Sequence, residues 1–214
     1  MRRRNFISFG GVVLAALAAL IGCSKPLRRA GTDDYYPLTI GSEWQYRLTW
    51  LDAAGKPFPD RPPLNTQTLV VGRTKTADGQ EVMMLINRSI PYRHVDETSY
   101  VRRSGDYVLR SKTLETSVQD TVLVLPPGRG RTWHRLMGNW PALPVVFAGQ
   151  ESVAVAAGHY ARVWRADEEF AALGVTGSQW FAPGVGLVRE HLTLPGPEGQ
   201  ASTMDVELTG AKIR

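Results

Sequence analysis

Cysteine is nearly absent from this chain of 214 residues, which has one, at position 23. A single cysteine excludes an internal disulfide and a cysteine-based zinc site. Net charge is also small once the first 22 residues are set aside, because Arg2, Arg3 and Arg4 lie there and their removal lowers the formal charge from +5 to +2. A nucleic-acid-binding protein needs a strongly basic face, so we expect no nucleic-acid partner.

Motifs for catalysis and metal binding are missing as well. The four histidines are His94, His134, His159 and His191, and none has the spacing of a metal site beside a carboxylate. No Gly-x-Ser-x-Gly sequence marks a hydrolase nucleophile. We therefore expect no metal and no cofactor. We also expect no enzyme, although a catalytic triad assembled from distant positions leaves no such motif.

The N-terminus resembles the signal peptide of a bacterial lipoprotein. Arginines 2–4 precede a short apolar run, residues 9–21, whereas a helix needs about 20 apolar residues to cross a bilayer. Leu20-Ile21-Gly22-Cys23 resembles the lipobox. This resemblance implies cleavage between Gly22 and Cys23, a diacylglycerol on the Cys23 thiol, and a further acyl chain such as palmitate on the new N-terminus. A free thiol behind an ordinary secretory signal is the alternative.

Two details concern the route and the destination of export. Ser24, rather than aspartate, follows the cysteine, which by the sorting rule of enteric lipoproteins indicates the outer membrane, facing the periplasm. Residues 3–7, RRNFI, resemble the core of a twin-arginine signal. An arginine-rich signal for the general secretion route explains the same residues, and both routes remain open.

The rest of the chain alternates between short apolar runs and turns. After a polar tether at residues 23–34, aromatic and apolar side chains occupy every second position of residues 44–50, the pattern of a half-buried strand. Asp78-Gly79 and similar steps separate the later runs, as in hairpins. We find nine to eleven such runs and no crossover helix. The prediction is one all-β, antiparallel domain at residues 35–214, built as a curved half-barrel, a barrel or a sandwich.

Three segments depart from the strand pattern. Residues 56–65 contain four prolines and are predicted to form an exposed loop. Residues 126–144 combine glycine, proline and two tryptophans and are not assigned to strands. Residues 168–173 are predicted to form one or two helical turns.

Three motifs resemble a group of poorly characterised exported bacterial proteins, many of them lipoproteins. Residues 36–46, YPLTIGSEWQY, resemble their opening Y-P-L-x-x-G-x-x-W-x-Y. Residues 153–160, VAVAAGHY, resemble a recurrent hairpin, and residues 180–188, WFAPGVGLV, resemble a signature near their C-terminus. The resemblance implies an antiparallel β domain that faces the periplasm or the cell surface. It supplies no catalytic residues, and turn formation and core packing explain the motifs without a ligand.

The segment rich in tryptophan is the candidate ligand site. Its apolar side chains are predicted to line the mouth of a curved sheet and to contact an apolar ligand. The candidate contacts are Trp133, Leu136, Trp140 and Phe147. Basic side chains nearby would suit an anionic group on that ligand; these are Arg129, Arg131, His134 and Arg135. The alternative is a loop that packs its own aromatic rings over the end of the sheet.

These observations give three functional hypotheses. The first is a membrane-anchored lipoprotein of the bacterial envelope that acts as a non-catalytic binding or structural module, with an envelope protein or an apolar molecule as its partner. The second is a carrier of lipids or lipoproteins with an apolar cavity. The third is a hydrolase whose site is scattered along the chain. An apolar pocket would favour the carrier, and a polar cleft where a histidine meets a serine or carboxylate would favour the hydrolase.

Overall fold

A computed structural model describes residues 33–90, 96–115, 119–136, 141–196 and 201–214. The strands of the N-terminal half are β1 (Glu43–Leu51), β2 (Leu64–Lys75), β3 (Glu81–Ile90), β4 (Glu97–Ser104), β5 (Tyr107–Ser111) and β6 (Asp120–Val124). Those of the C-terminal half are β7 (Thr132–Arg135), β8 (Leu143–Val155), β9 (Gly158–Phe170), β10 (Val175–Ala182), β11 (Gly186–Pro195) and β12 (Ala201–Lys212). A short 3-10 helix, Ala171–Leu173, lies between β9 and β10.

All twelve strands belong to one antiparallel sheet in the order β6-β5-β4-β3-β2-β1-β12-β11-β10-β9-β8-β7. Each half of the chain is a meander, in which every strand pairs with the one before it. The pairing of the first strand with the last, with Trp50 opposite Met204, joins the two meanders. The all-β, antiparallel fold class predicted from the sequence is confirmed. Within the described residues no helix has the length and apolar character needed to cross a membrane.

The edge strands β6 and β7 approach each other and nearly close the sheet into a barrel. Side chains bridge this seam. The backbone N–H of Leu136 donates to Asp120 Oδ1 at 2.8 Å. The Arg131 guanidinium pairs with Asp106 Oδ2 at 3.0 Å, and it also donates to the carbonyl oxygen of Pro126. Asp120 on β6 and Arg135 on β7 face one shared interior.

Side chains at every second position of the strands point into that interior and fill it. On β11, Val188, Glu190 and Leu192 are buried, whereas the residues between them are partly exposed, as expected when successive side chains point to opposite faces. The main core includes the buried rings of Trp44 and Phe181. Other members of this core are Val70, Leu85, Val101, Val108, Leu123, Phe147, Val163 and Leu208.

The turn between β10 and β11 shows why the motif at residues 180–188 contains its proline and glycines. The N–H of Val185 donates to the carbonyl oxygen of Ala182 at 3.2 Å, which places Pro183 and Gly184 at the two central positions. Gly184 has a φ of 74°, a conformation that residues with a Cβ avoid. The predicted hairpins at Asp78-Gly79, Gly105 and Gly158 are present as well.

Two of the segment predictions need correction. The sequence pattern predicts no strands at residues 126–144, but β7 lies within this segment and β8 begins at Leu143. Pairing between these two strands compensates for the weak strand pattern, with Trp133 opposite Val145. The predicted helical turns at residues 168–173 are reduced to the 3-10 helix, because residues 168–170 continue strand β9 in a ladder with β10.

Candidate functional site

A cavity of about 170 Å³ lies inside the curved sheet. One part of its wall is aromatic and aliphatic, formed by Tyr36, Trp44, Tyr46, Leu85, Phe181 and Leu187. The other part is polar and charged, formed by Thr68, Asn87, Ser99, Arg110, Asp120, Arg135, Gln179 and Glu190. The cavity is thus amphipathic, with charged groups held beside aromatic rings.

A buried guanidinium holds the polar side of this cavity together. Arg135, on β7, is paired through Nη1 with Glu168 Oε1 at 3.1 Å and through Nη2 with Glu190 Oε1 at 2.7 Å. The side chain of Arg135 is 13% exposed, that of Glu168 is fully buried and that of Glu190 is 10% exposed. Gln179 Nε2 donates to Glu190 Oε1 at 3.0 Å. We call these four residues the Arg135 cluster.

A second ion pair faces the same cavity. Asp120 accepts a hydrogen bond from Arg110 Nη2 at 2.8 Å in addition to the bond from the Leu136 N–H. The Asp120 side chain is 11% exposed and that of Arg110 is 44% exposed, so Arg110 extends toward solvent. The cavity therefore has a charged pair on the solvent side and the Arg135 cluster in its buried part.

A glycine makes room for the buried carboxylate. Gly177, on β10, lies opposite Glu168 in the ladder with β9. A Cβ atom at Gly177 would lie 2.9 Å from Glu168 Oε1 and 2.8 Å from the backbone oxygen of His191. Any other residue would therefore displace the carboxylate or the neighbouring strand. The sequence at this position is dictated by the packing of the Arg135 cluster.

Burial and neighbouring charges shift the protonation of the cluster. Burial raises the pKa of the Glu168 carboxyl; Arg135 opposes this rise, and Glu190 and Asp120 add to it. Burial lowers the pKa of Arg135, but the attraction of Glu190 and Glu168 outweighs this effect, so that its pKa is raised overall. Arg135 is thus firmly cationic.

The motifs at residues 36–46 and 180–188 meet beside the cavity. Trp44 Nε1 donates to the carbonyl oxygen of Val185 at 2.7 Å, and the Tyr46 hydroxyl donates to that of Leu187 at 3.0 Å. Burial raises the pKa of the Tyr46 hydroxyl, which therefore remains a hydrogen-bond donor. Turn formation and core packing explain these motifs, and the two hydrogen bonds agree with that explanation. The same packing also forms the apolar wall of the cavity.

Three of the residues proposed from the sequence as ligand contacts, Trp133, Leu136 and Phe147, do not line this cavity. Trp133 and Phe147 are 4% and 1% exposed and pack against each other with ring centroids 4.9 Å apart, so neither lines the cavity. Leu136 is partly buried and contributes its N–H to the seam. Trp140 lies outside the described residues, as do Gly22 and Cys23. The predicted apolar contact at Trp133 and Phe147 has no counterpart in this cavity, because both rings fill the core.

The basic residues proposed for an anionic group are dispersed. Arg135 is occupied by two glutamates, and Arg131 pairs with Asp106. Arg129 Nε donates to the carbonyl oxygen of Ala148 at 3.0 Å. The side chain of His134 is exposed. These side chains form no common anion site, because carboxylates or backbone oxygens already accept the hydrogen bonds of the three arginines.

Sequence reasoning did not identify Asp120, Gln179 or Glu190 as site residues. A signal was available, since Glu190 falls in register with buried Val188 and Leu192 on a strand that the sequence predicted. A polar residue at an inward position of a predicted strand is costly unless it has partners. Polar residues at inward positions of predicted strands are therefore candidates for one common site. The sequence alone does not give the strand order that would pair them.

Comparisons with known proteins give information on the fold alone. No protein-family model matches the chain, and no curated protein matches it. Two solved structures are similar. One is described as an exported protein with a YmcC-like fold from Bacteroides fragilis, at 14% identity and a TM-score of 0.47. The other is described as a lipoprotein from Parabacteroides distasonis, at 11% identity and a TM-score of 0.49. Each comparison covers 83% of this chain and 98% of the other.

Proposed function

We propose that this chain is a lipid-anchored protein of the bacterial cell envelope whose β domain is a non-catalytic binding module. The sequence Leu20-Ile21-Gly22-Cys23 supports the anchor, and Ser24 supports an outer-membrane location facing the periplasm. The observation that carries the binding role is the amphipathic cavity, whose charged wall is held rigid by the Arg135 cluster. A preformed concave site with a few fixed polar groups is typical of ligand binding.

A lipid carrier is less well supported by this geometry. Ligand pockets for drug-sized molecules usually enclose about 300–1,000 Å³. The cavity here is about 170 Å³, close to the size of a cavity that accepts a single benzene ring, about 150 Å³. Four charged side chains also line it, and an acyl chain would leave them without solvent. A small, partly polar ligand suits this cavity better than a lipid.

A hydrolase is also less well supported. The cross-strand neighbours Ser178, His191 and Asp205 form a row on the outer face of the sheet, and His191 Nδ1 lies 3.4 Å from Asp205 Oδ1. The Ser178 hydroxyl, however, donates to Asp167 at 2.7 Å. Nucleophilic activation needs the serine proton to be directed at the histidine. In this row the Ser178 hydroxyl directs its proton at the Asp167 carboxylate instead, and the row lies on the face opposite the cavity.

The anchor is tested by replacing the acyl acceptor. Cys23→Ser, expressed in a Gram-negative host and labelled with a palmitate analogue, should accumulate as an unlabelled precursor, because serine lacks the thiol that receives the diacylglycerol. The wild-type chain should be labelled and should sediment with the outer membrane. In an enteric host, Ser24→Asp is the matched control: it should be labelled normally but remain in the inner membrane. Normal processing and membrane retention of Cys23→Ser would disprove the anchor.

A further inference from the structure

Gln179 presents a buried hydrogen-bond acceptor that has no donor. The residue is 6% exposed and lines the cavity. Its Nε2 donates to Glu190 Oε1 at 3.0 Å, which fixes the orientation of the amide because a carboxylate only accepts. Among the described residues, no donor reaches Gln179 Oε1. A buried acceptor without a partner is destabilising, so this oxygen points to a ligand that donates a hydrogen bond.

The charges around this oxygen give the sign of that ligand. Three carboxylates, those of Asp120, Glu168 and Glu190, face the guanidinium groups of Arg110 and Arg135. The three acidic side chains are each at most 11% exposed, whereas Arg110 is the most exposed of the five at 44%. Arg135 donates to both glutamates. Arg110, Arg135, Asp120 and Glu190 line the cavity and balance one another, and Glu168, fully buried and paired with Arg135, adds a third carboxylate beside the wall. With all five groups ionised, the cluster therefore holds one more negative charge than positive, and this surplus is poorly screened by solvent.

The apolar wall suits a cation as well. Trp44, Tyr46 and Phe181 line the cavity, and aromatic faces attract ammonium and guanidinium groups. The indole N–H of Trp44 donates to the Val185 carbonyl oxygen in the β10–β11 turn, and the Tyr46 hydroxyl donates to the Leu187 carbonyl oxygen on β11. These two rings are therefore fixed in position, and what they offer a ligand is ring surface rather than a hydrogen bond.

We infer that this cavity binds a small organic cation, one that carries an ammonium or amidinium group on a body no larger than about one six-membered ring. Its N–H donates to Gln179 Oε1, and its charge offsets the surplus carboxylate. An anion would meet the surplus negative charge, and a neutral apolar molecule would leave Gln179 Oε1 without a donor. This inference rests on the proposed binding role and adds the chemical class of the ligand.

A series of one-ring probes that carry a positive charge, no charge or a negative charge tests the inference on the unaltered protein. Benzylammonium, benzyl alcohol and benzoate share one ring and can be titrated by calorimetry into the full chain purified in detergent. Benzylammonium should bind at least about tenfold more tightly than either other probe, the usual effect of one charge-assisted hydrogen bond. Equal binding of the alcohol, tighter binding of benzoate, or no binding of benzylammonium at millimolar concentration would overturn the inference.

Two variants place the binding in this cavity. Glu190→Gln removes one carboxylate charge, and Gln179→Met removes the free acceptor, together with the Nε2 donor to Glu190, with little change in shape. Each should weaken benzylammonium binding about tenfold. Glu207→Gln is the matched control, since Glu207 pairs with Arg47 on the outer face and its loss should leave binding unchanged. Thermal melting identifies variants that fail to fold. Unchanged binding in a folded Glu190→Gln variant would overturn the assignment.

These outcomes are separate from those of the Cys23 experiment. Loss of the anchor would disprove the lipoprotein proposal and leave probe binding untouched. Preferential binding of benzoate would disprove the cationic ligand and leave a binding module in place. Binding of none of the three probes would count against the cavity as a small-molecule site, and the anchor would stand on its own.

Discussion

Replacing Arg135 with methionine should destabilise the domain strongly. Arg135 is 13% exposed and neutralises Glu168, which is fully buried, and Glu190, which is 10% exposed. Methionine fills similar space but leaves both carboxylates without a cationic partner. Removal of one partner from a buried ion pair costs about 3–5 kcal/mol. For a domain of this size, that loss corresponds to a fall in melting temperature of roughly 6–20 °C.

The loss should depend on pH in a direction that the structure defines. In the variant, Glu168 keeps its burial and loses the guanidinium that opposed the rise of its pKa. A carboxyl whose folded pKa is raised stabilises the fold below its ordinary value of 4.5, and that contribution is lost as pH rises through the folded pKa. Arg135→Met should therefore be most destabilising at neutral pH and least near pH 4.5. Adding Glu168→Gln should recover part of the stability at neutral pH.

The measurement is denaturant unfolding of the full chain at several pH values, followed by tryptophan fluorescence. Arg47→Met is the matched control, because Arg47 pairs with Glu207 at 2.6 Å but is 48% exposed. Exposed pairs contribute about 0–1 kcal/mol, so this variant should remain close to the wild type. A loss below about 1 kcal/mol for Arg135→Met, or a loss that grows as pH falls, would refute the argument that the buried cluster is held by this guanidinium.

Two further predictions concern packing. Gly177→Ala should lower the free energy of unfolding by about 1–3 kcal/mol, because its Cβ would meet backbone 2.8 Å away. Gly72→Ala is the control, because a Cβ at Gly72 would lie 3.9 Å from the nearest atom, Met84 Cε. A smaller loss of stability for Gly177→Ala than for Gly72→Ala, measured by thermal melting, would contradict this packing. Trp44→Ala should cost about 3–5 kcal/mol, because the ring is 6% exposed in the core. Trp44→Phe should lower the free energy of unfolding less than Trp44→Ala does, mainly through loss of the hydrogen bond to Val185. An unchanged melting temperature of the alanine variant would place the Trp44 ring outside the core.

The strands were predictable from the sequence because their information is local. Alternation at residues 44–50 and the Asp78-Gly79 step each depend on a few neighbouring residues, and both features are present in the structure. The segment 126–144 was not predictable in the same way. Strand β7 has four residues, and its place in the sheet depends on the ladder with β8 rather than on its own pattern. Its importance is nevertheless high, because it carries Arg135.

The charged site could not be predicted from the sequence, for a related reason. Residues 135 and 168 are 33 positions apart, and they meet because the sheet places β7, β8 and β9 side by side and curves. No spacing rule connects residues whose distance depends on strand order. Knowing the strands alone would have shown Gln179 and Glu190 at inward positions. It would not have shown that Arg135 lies opposite them. Arg135 offsets the free-energy cost of burying the Glu168 and Glu190 carboxylates and joins them in one rigid cluster.

The motifs and the cavity belong to one structure, and this decides how the site should be probed. Trp44 is bonded to the β10–β11 turn, and the strands that leave that turn carry Gln179 and Glu190. A change at Trp44 would therefore move the site and destabilise the core at once, so reduced binding in such a variant says nothing about ligand contact. Glu190→Gln and Gln179→Met alter the cavity wall while leaving the Trp44 anchor intact. Binding lost in those variants while thermal melting shows them to be folded can be attributed to the cavity wall itself.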